Sequence, residues 1–289
     1  MHWQGAIDVL SIFMGSLVMP KFFRDGLTSQ PIGGHIGSIE VVGLPAQLAE
    51  GEWELEAETR FGRVDAGLKV ADAGSEEGPV IIYHHGASES PPDFGFNRIL
   101  VAGREELNAG LIFVRAPFHQ SISDFRKGIA TLDGWMTMLA VSVCLIEEIV
   151  VRLAEMERES VTVSGTSLGG FVTNLHRIHF GTADAYIPIM AGTALDSVLL
   201  DSPYRRALPR LTESEEKEIR EVLNFEDDFA GIDPDNVYPL LARFDEIVKY
   251  PRQKDSYGSC PVSEFAKSHV TGALAAPPVR RHIAQYMAR

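Results

Sequence analysis

Residues 161–170 read VTVSGTSLGG, and this stretch decides the fold. It opens on β-branched residues typical of a buried strand, and a helix is predicted directly after it. Ser167 therefore stands on a sharp strand-to-helix turn, inside the only G-x-S-x-G motif of the chain. Gly165 and Gly169 give the turn room, and a helix N-terminus favours negative charge developing at the hydroxyl. The motif predicts Ser167 as a nucleophile, against the alternative of a glycine cluster at an ordinary turn.

Short apolar runs alternate with helical stretches on both sides of this motif. The runs lack the alternation of half-exposed strands, which indicates parallel strands covered on both faces; they are 79–83, 111–114, 161–163 and 185–190. The helical stretches are 97–108, 129–157 and 168–180. This order predicts an α/β fold, a doubly wound and mostly parallel sheet. Residues 53–60 and 63–70 alternate apolar and charged side chains, so an antiparallel hairpin is expected at the sheet edge.

From about residue 60 onward, the motif and this order of elements resemble the α/β-hydrolase superfamily. The resemblance implies the α/β-hydrolase fold, with a catalytic acid and a histidine following the serine in that order. It also implies an oxyanion loop after an early buried strand. The first 50 residues do not take part in the resemblance.

Asp245 is the first candidate for the acid. It follows the strand-like run 237–243 (VYPLLAR) and is succeeded by Glu-Ile-Val, which resembles the acid loop of the family. The family usually has glycine or serine before this aspartate, where phenylalanine stands here. A carboxylate that caps the next helix is the alternative role for Asp245, and Asp196 and Asp201 are the alternative acids.

His269 is the candidate base, in the sequence FAKSH, 24 positions after Asp245 with a strand-like run at 261–266 between them. That spacing places both side chains on loops at the carboxyl ends of strands, where open α/β sheets keep their sites. The imidazole would accept the serine proton, and the carboxylate would orient the ring. Ser268 stands where family members often have glycine. A surface histidine is the alternative, and His282 is a poor substitute because it lies inside the terminal helix.

The oxyanion hole is expected in the segment YHHGAS, residues 83–88, directly after a buried strand. Two backbone N–H groups are needed to hold the oxyanion. Leu168, the residue after the nucleophile, supplies one. Ala87 is the first candidate for the other, with Ser88 as runner-up. The residues expected to bind substrate are His85, Gly86, Ser88 and Phe118.

Residues 51–289 are expected to form the hydrolase domain, and 1–50 a helical extension. Ile7, Leu10, Met14, Leu17 and Val18 fall near one helical face, which predicts an amphipathic helix packed on the body by that face. Residues 196–235 break the strand–helix rhythm and predict a small helical cap. Thr212 and Glu215 form a capping-box signature there.

The composition of the chain argues against some classes of binding partner. The net charge of −14, from 26 basic and 40 acidic residues, argues against nucleic acid and anionic membranes. Residues 5–19 are apolar but too short to span a bilayer, so no integral membrane segment is expected. The two cysteines, Cys144 and Cys260, are predicted to be buried thiols, which favours a cytoplasmic location. The serine-hydrolase chemistry that the resemblance implies needs no metal or organic cofactor. His176 and His179 lack a nearby cysteine or carboxylate ligand set, so packing is favoured over metal binding for that pair.

The function expected from these residues is hydrolysis of a carboxylic ester, or a related acyl bond, through an acyl-enzyme intermediate. The partner is then a small-molecule acyl substrate, and a homo-oligomer remains possible. A peptidase or thioesterase with the same three side chains is one alternative. A catalytically silent hydrolase fold that only binds is the other.

Overall fold

The computed structural model describes residues 2–288; Met1 and Arg289, as well as the side chain of Val18, lie outside the described part. One nine-stranded sheet runs through the molecule. Its strands are β1 (Glu40–Val42), β2 (Gly51–Thr59), β3 (Gly62–Asp72), β4 (Val80–His84), β5 (Gly110–Arg115), β6 (Val161–Thr166), β7 (Ala185–Ile189), β8 (Leu240–Ala242) and β9 (Ser263–Phe265).

Helices cover both faces of the sheet and link its strands. The α-helices are α1 (Trp3–Val18), α2 (Ile32–Ile36), α3 (Phe94–Ile99), α4 (Arg104–Leu107), α5 (Ile122–Gly128), α6 (Leu132–Glu155), α7 (Leu168–His179), α8 (Leu195–Leu200), α9 (Glu213–Leu223), α10 (Glu226–Ala230), α11 (Tyr250–Asp255), α12 (His269–Ala273) and α13 (Ala276–Tyr286). Short 3₁₀ helices lie at Val101–Gly103 and Pro203–Ala207.

The strand order is β1-β2-β3-β5-β4-β6-β7-β8-β9. The pairings β1/β2, β2/β3 and β3/β5 are antiparallel, and all later pairings are parallel. This confirms the predicted mostly parallel sheet with an antiparallel edge. Because the parallel strands point the same way, the loops after β4, β6, β8 and β9 meet at one edge of the sheet.

The central strands are buried on both sides, as their unbroken apolar runs predict. Every residue of β4, β6 and β7 is buried. The long helix α6 packs against them with most of its side chains buried. A core of this kind holds the strand ends rigidly, so the loops that follow them can keep fixed positions.

The N-terminal 50 residues are more than a helical extension. Their strand β1 pairs with β2 in the register Val41 to Ala57 and extends the sheet by one strand. Helix α1 lies on the body, but the prediction of its inward face is wrong. Leu10, Met14 and Leu17 are 59%, 56% and 64% exposed. The buried side chains of α1 are instead Gln4 and Asp8, because both hydrogen-bond to groups on the loops that the helix covers.

The segment 196–235 is helical, as predicted, and contains α8, α9, α10 and the second 3₁₀ helix. The capping box is present at the start of α9, where Thr212 and Glu215 exchange hydrogen bonds. The two C-terminal strands are shorter than the runs 237–243 and 261–266 that predicted them, because their pairing is confined to three residues each. Within residues 2–288, none of the helices combines the length and the apolar character needed to cross a membrane.

Candidate active site

Ser167 occupies the turn between β6 and α7 in a conformation that non-glycine residues rarely adopt. Its φ and ψ are 56° and −116°, and its N–H donates to Ile189 O at 2.8 Å. The turn is tight enough to need glycine beside it. A Cβ on Gly169 would lie 2.1 Å from His84 O, and one on Gly165 would lie 2.4 Å from the carbonyl of Gly169. Such backbone strain persists only where surrounding structure enforces it, and it is typical of functional sites.

Three of the predicted side chains lie in hydrogen-bonding contact. Ser167 Oγ is 2.9 Å from Nε2 of His269, and Nδ1 of the same ring is 2.7 Å from Oδ2 of Asp245. A ring that donates from Nδ1 to a carboxylate keeps Nε2 free as an acceptor for the serine hydroxyl. The arrangement can therefore remove a proton from Ser167.

Electrostatics at this site favour a positive charge on the imidazole. Asp245 is buried, which raises the pKa of its carboxyl, whereas His269 nearby opposes that rise. Oδ1 of Asp245 also accepts the N–H groups of Ile247 and Val248 at 2.8 and 2.7 Å. Burial alone would lower the pKa of His269, but the carboxylates of Asp245 and Asp8 raise it above the ordinary value of 6.5. An imidazole with a raised pKa is a stronger base toward the serine proton.

The alternative acids are engaged elsewhere. Asp201 forms a two-bonded ion pair with Arg220, at 2.7 and 3.0 Å. Asp196 accepts from Arg220 at 2.9 Å and from Asn224 at 3.2 Å. Among the described residues, neither carboxylate hydrogen-bonds to His269. The fold thus brings Asp245, rather than Asp196 or Asp201, to the histidine.

The loop after β4 lies beside Ser167 and is fixed by side chains on both sides. Glu89 accepts from Gly86 N at 2.8 Å and from Gly95 N at 2.6 Å. His119 contacts the carbonyl of Ala87 at 3.2 Å. Within residues 2–288, neither the N–H of Ala87 nor that of Leu168 is used in a hydrogen bond outside the helices. Two free donors beside a nucleophile are the arrangement an oxyanion requires.

The residues predicted to bind substrate divide into two groups. Ser88 lines the cavity that opens at Ser167, whereas the described wall does not include His85, Gly86 or Phe118. The ring of His85 is turned into the body, where Nε2 accepts from Ala116 N at 3.0 Å and Nδ1 contacts Gly86 O at 2.9 Å. His85 thus supports the loop, and burial lowers its pKa well below the usual range.

The cavity has a volume of about 680 Å³ and is mainly apolar. It lies between α1, the β4 loop, α5, α7 and α8. Its larger apolar lining side chains are Ile12, Met19, Phe22, Ile122, Phe125, Trp135, Leu168, Phe171, Leu195, Val198, Leu199, Ile247, Val248 and Val270. Tyr204 and Leu199 of the segment 196–235 line it, whereas the described wall does not include Leu200.

Two functional candidates escaped the sequence prediction. Glu89 lies only three residues beyond Gly86, whose N–H it accepts. The only signal in the sequence for this role is an acidic residue shortly after a His-Gly turn. Asp8 is fully buried and hydrogen-bonds to the main chain of His269. A lone carboxylate that interrupts an apolar helical segment was the signal for it, because such a group is buried only when it is paired.

Of the two histidines on α7, His176 is held by polar partners. His176 Nε2 lies 3.1 Å from a carboxylate oxygen of Glu147, and its Nδ1 lies 3.2 Å from the hydroxyl of Tyr186. His179 belongs to the next turn and has no shared partner with His176 among the described contacts. No group of three or more potential ligand side chains within residues 2–288 is arranged to hold a metal ion.

Comparison by sequence finds no matching family model and no matching curated protein. Comparison by structure finds similar folds. Esterase Pf2001 of Pyrococcus furiosus is 14% identical, with a TM-score of 0.54 over 85% of this chain and 96% of that one. The acylaminoacyl peptidase of Pyrococcus horikoshii is 13% identical, with a TM-score of 0.56 over 82% of this chain.

This chain covers only 42% of the length of that peptidase. A third similar structure, 2,6-dihydroxy-pseudo-oxynicotine hydrolase, is 16% identical, with a TM-score of 0.55 over 81% of this chain and 66% of that one. At such identities the likeness concerns the fold. Together with the strand order and the strained turn at Ser167, it identifies the chain as a protein of the α/β-hydrolase fold.

Proposed function

We propose that this protein is a serine hydrolase that cleaves carboxylic esters with an apolar acyl group through an acyl-enzyme intermediate. One observation carries the proposal. The hydroxyl of Ser167, the imidazole of His269 and the carboxylate of Asp245 form a continuous hydrogen-bonded chain that opens into an apolar cavity. Nucleophile, base and orienting acid in this geometry are the parts that acyl transfer needs.

In the first half of the reaction, Ser167 Oγ attacks the ester carbonyl carbon and its proton moves to Nε2 of His269. The imidazolium formed is stabilised by Asp245, which is 2.7 Å from Nδ1. As the tetrahedral intermediate collapses, the bond to the alcohol breaks and the imidazolium gives its proton to the departing oxygen. A water molecule, deprotonated by the same imidazole, then attacks the acyl-enzyme and releases the carboxylic acid.

The oxyanion that forms in both halves needs donors that are already in position. We assign this role to the N–H groups of Ala87 and Leu168, which belong to residues that line the cavity beside Ser167. Glu89 and His119 fix the loop that carries Ala87. A preformed pair of donors stabilises the developing charge by several kcal/mol, because no reorganisation is needed during the reaction.

The wall of the cavity favours an uncharged acyl chain. Among the described lining residues there is no lysine, arginine or aspartate, and the only carboxylic acid is Glu89, whose pKa burial raises. Burial also lowers the pKa of His119 and raises that of Tyr204, which favours the neutral form of both side chains. Burying a charged acyl chain there would leave it unpaired, at a cost of several kcal/mol. A cavity of about 680 Å³ lies within the usual range for small-molecule sites. An esterase is also among the proteins with a similar fold.

A fluorophosphonate probe tests the proposal directly, because it reacts only with an activated serine. We expect wild-type protein to be labelled at Ser167, and the Ser167→Ala variant, as the matched control, to remain unlabelled. A panel of p-nitrophenyl esters, matched thioesters and matched anilides then identifies the bond. Faster cleavage of thioesters would indicate a thioesterase instead of the proposed esterase, and faster cleavage of anilides would indicate a peptidase. Absence of labelling in folded wild-type protein would mean that the fold only binds.

A further inference from the structure

Helix α1 reaches the two loops that carry the proposed acid and base. At its first turn the ring of His2 stacks on Phe244, with 3.8 Å between ring centres. One turn later, Gly5 packs so closely that a Cβ there would lie 2.8 Å from Cγ of Glu246. These contacts lie on either side of Asp245 in the chain. The helix therefore packs directly on the acid loop.

The carboxylate of Asp8 then joins this loop to the one that bears the histidine. Its Oδ2 accepts the N–H of Glu246 at 3.2 Å and that of His269 at 3.0 Å. Its Oδ1 accepts the N–H of Val270 at 3.0 Å. The side chain is fully buried, so water does not compete for these donors. Hydrogen bonds to a buried charged acceptor are the stronger kind, and losing the acceptor would leave three N–H groups without this partner.

Gln4 strengthens the same connection one turn earlier. Its Oε1 accepts from Ser268 N at 3.2 Å and from the hydroxyl of Thr271 at 2.6 Å, while its Nε2 contacts Ala266 O at 3.4 Å. Gln4 and Asp8 are four residues apart, so they lie on one face of the helix. That face holds the histidine loop by main-chain groups on both sides of His269.

We propose that Asp8 is a positioning residue of the active site, which sets the place of His269 relative to Asp245 by accepting main-chain N–H groups from both loops. The inference rests on the proposed hydrolase function. The imidazole must keep its distances of 2.9 Å to Ser167 and 2.7 Å to Asp245 at the same time. A displacement of about 1 Å in such a set costs about 100-fold in rate. Asp8 touches neither substrate nor the reacting atoms.

The charge of Asp8 provides a second readout. The charged and titratable groups that face His269 are Asp245 on the acid loop and Asp8 on α1, and Tyr204 faces Asp245 from the 3₁₀ helix. Both carboxylates raise the pKa of His269 against the effect of burial. Removing the charge of Asp8 must therefore lower the pKa of His269. The acid limb of kcat/KM, where His269 loses its proton as pH rises, would move to lower pH.

The test compares Asp8→Asn with wild type and with the matched control Asp25→Asn, an exposed carboxylate whose ion pair joins only its neighbour Arg24. NMR titration of the imidazole, assigned with His269→Gln, gives the pKa of His269 without any substrate. The rate of fluorophosphonate labelling gives the reactivity of Ser167. For Asp8→Asn we expect a lower pKa and labelling slower by at least about tenfold. Asp25→Asn should match wild type in both.

The outcomes separate the two proposals. Wild-type labelling in Asp8→Asn, or slower labelling with an unchanged pKa of His269, would overturn the positioning role. If wild-type protein itself is not labelled, the hydrolase function fails, and the titration still decides whether Asp8 acts on His269. Should Asp8→Asn not fold, Gln4→Ala decides, because it removes the second anchor and leaves the charge in place. Unchanged labelling in folded Gln4→Ala would then overturn the role of α1.

Discussion

The turn at Ser167 and helix α1 meet at the same site, yet they are encoded in opposite ways. The turn is specified within ten consecutive residues, by a strand, two close glycines and a helix. Helix α1 takes part through Gln4 and Asp8, whose partners lie more than 230 positions away, while its Leu10, Met14 and Leu17 face solvent. A local motif carries its own structural context. The role of a polar helix face, by contrast, can be recognised only when the surface on which it packs is known.

The largest effect should come from Ser167→Ala, which removes the nucleophile and leaves the contacts of α1 intact. We expect turnover of small aryl esters to fall by about six orders of magnitude. The free energy of unfolding should stay the same or increase, because Ser167 is placed for reaction rather than stability. Ester hydrolysis and urea denaturation measure the two quantities. Activity within tenfold of wild type would show that Ser167 is not the nucleophile. The comparison of the turn and α1 as two parts of one active site would then fail as well.

Asp245→Asn tests the loop on which both regions converge. The amide cannot stabilise the imidazolium and favours the wrong tautomer of His269, so turnover should fall by about four orders of magnitude. Asp201→Asn is the matched control, since Asp201 is paired with Arg220 and half exposed. It should leave turnover within a few-fold of wild type. If Asp201→Asn lowered turnover more than Asp245→Asn, the catalytic acid would be Asp201, which follows the earlier strand.

The smallest effect concerns α1 as a wall of the cavity. Ile12 lines the cavity, whereas Leu10 on the same helix is 59% exposed. Ile12→Phe should reduce kcat/KM for long acyl chains relative to short ones by about tenfold, because the larger ring occupies space needed by the chain. Leu10→Phe should leave the ratio unchanged. A series of p-nitrophenyl esters measures both, and equal profiles would limit α1 to its contacts with the loops.

Much of this site was predictable because its parts follow strands with strong patterns. The nucleophile turn follows an unbroken apolar strand, and the order serine, aspartate, histidine follows from the family resemblance. The choice of Asp245 over Asp196 and Asp201 rested on its place after a strand, and the contacts of Arg220 supply the physical reason. The inference about Ser167 used only residues within a few positions of it, whereas the roles of Asp245 and His269 also needed the order that the resemblance implies.

The remaining features depended on contacts that no local pattern encodes. The hydrophobic stripe of α1 predicted an inward face that is in fact exposed, because hydrogen bonds from Gln4 and Asp8 determine how the helix packs. His85 was expected to contact substrate, but both its nitrogens are engaged by main-chain groups. The course of the segment 196–235 also depended on tertiary contacts. Its adjacent residues Leu199 and Leu200 are both buried, but only Leu199 belongs to the described cavity wall.

The separation between Asp8 and its partners has a consequence for synthesis. Asp8 and Val270 are 262 positions apart, so the helix emerges from the ribosome long before the loop that it holds. Domains fold progressively as they are made, and contacts between distant positions form late. Until residues 246, 269 and 270 have been made, the carboxylate of Asp8 lacks the N–H donors that it has in the folded protein. The hydrogen-bonded set of Ser167, Asp245 and His269 can therefore form only after residues 269 and 270 have been made.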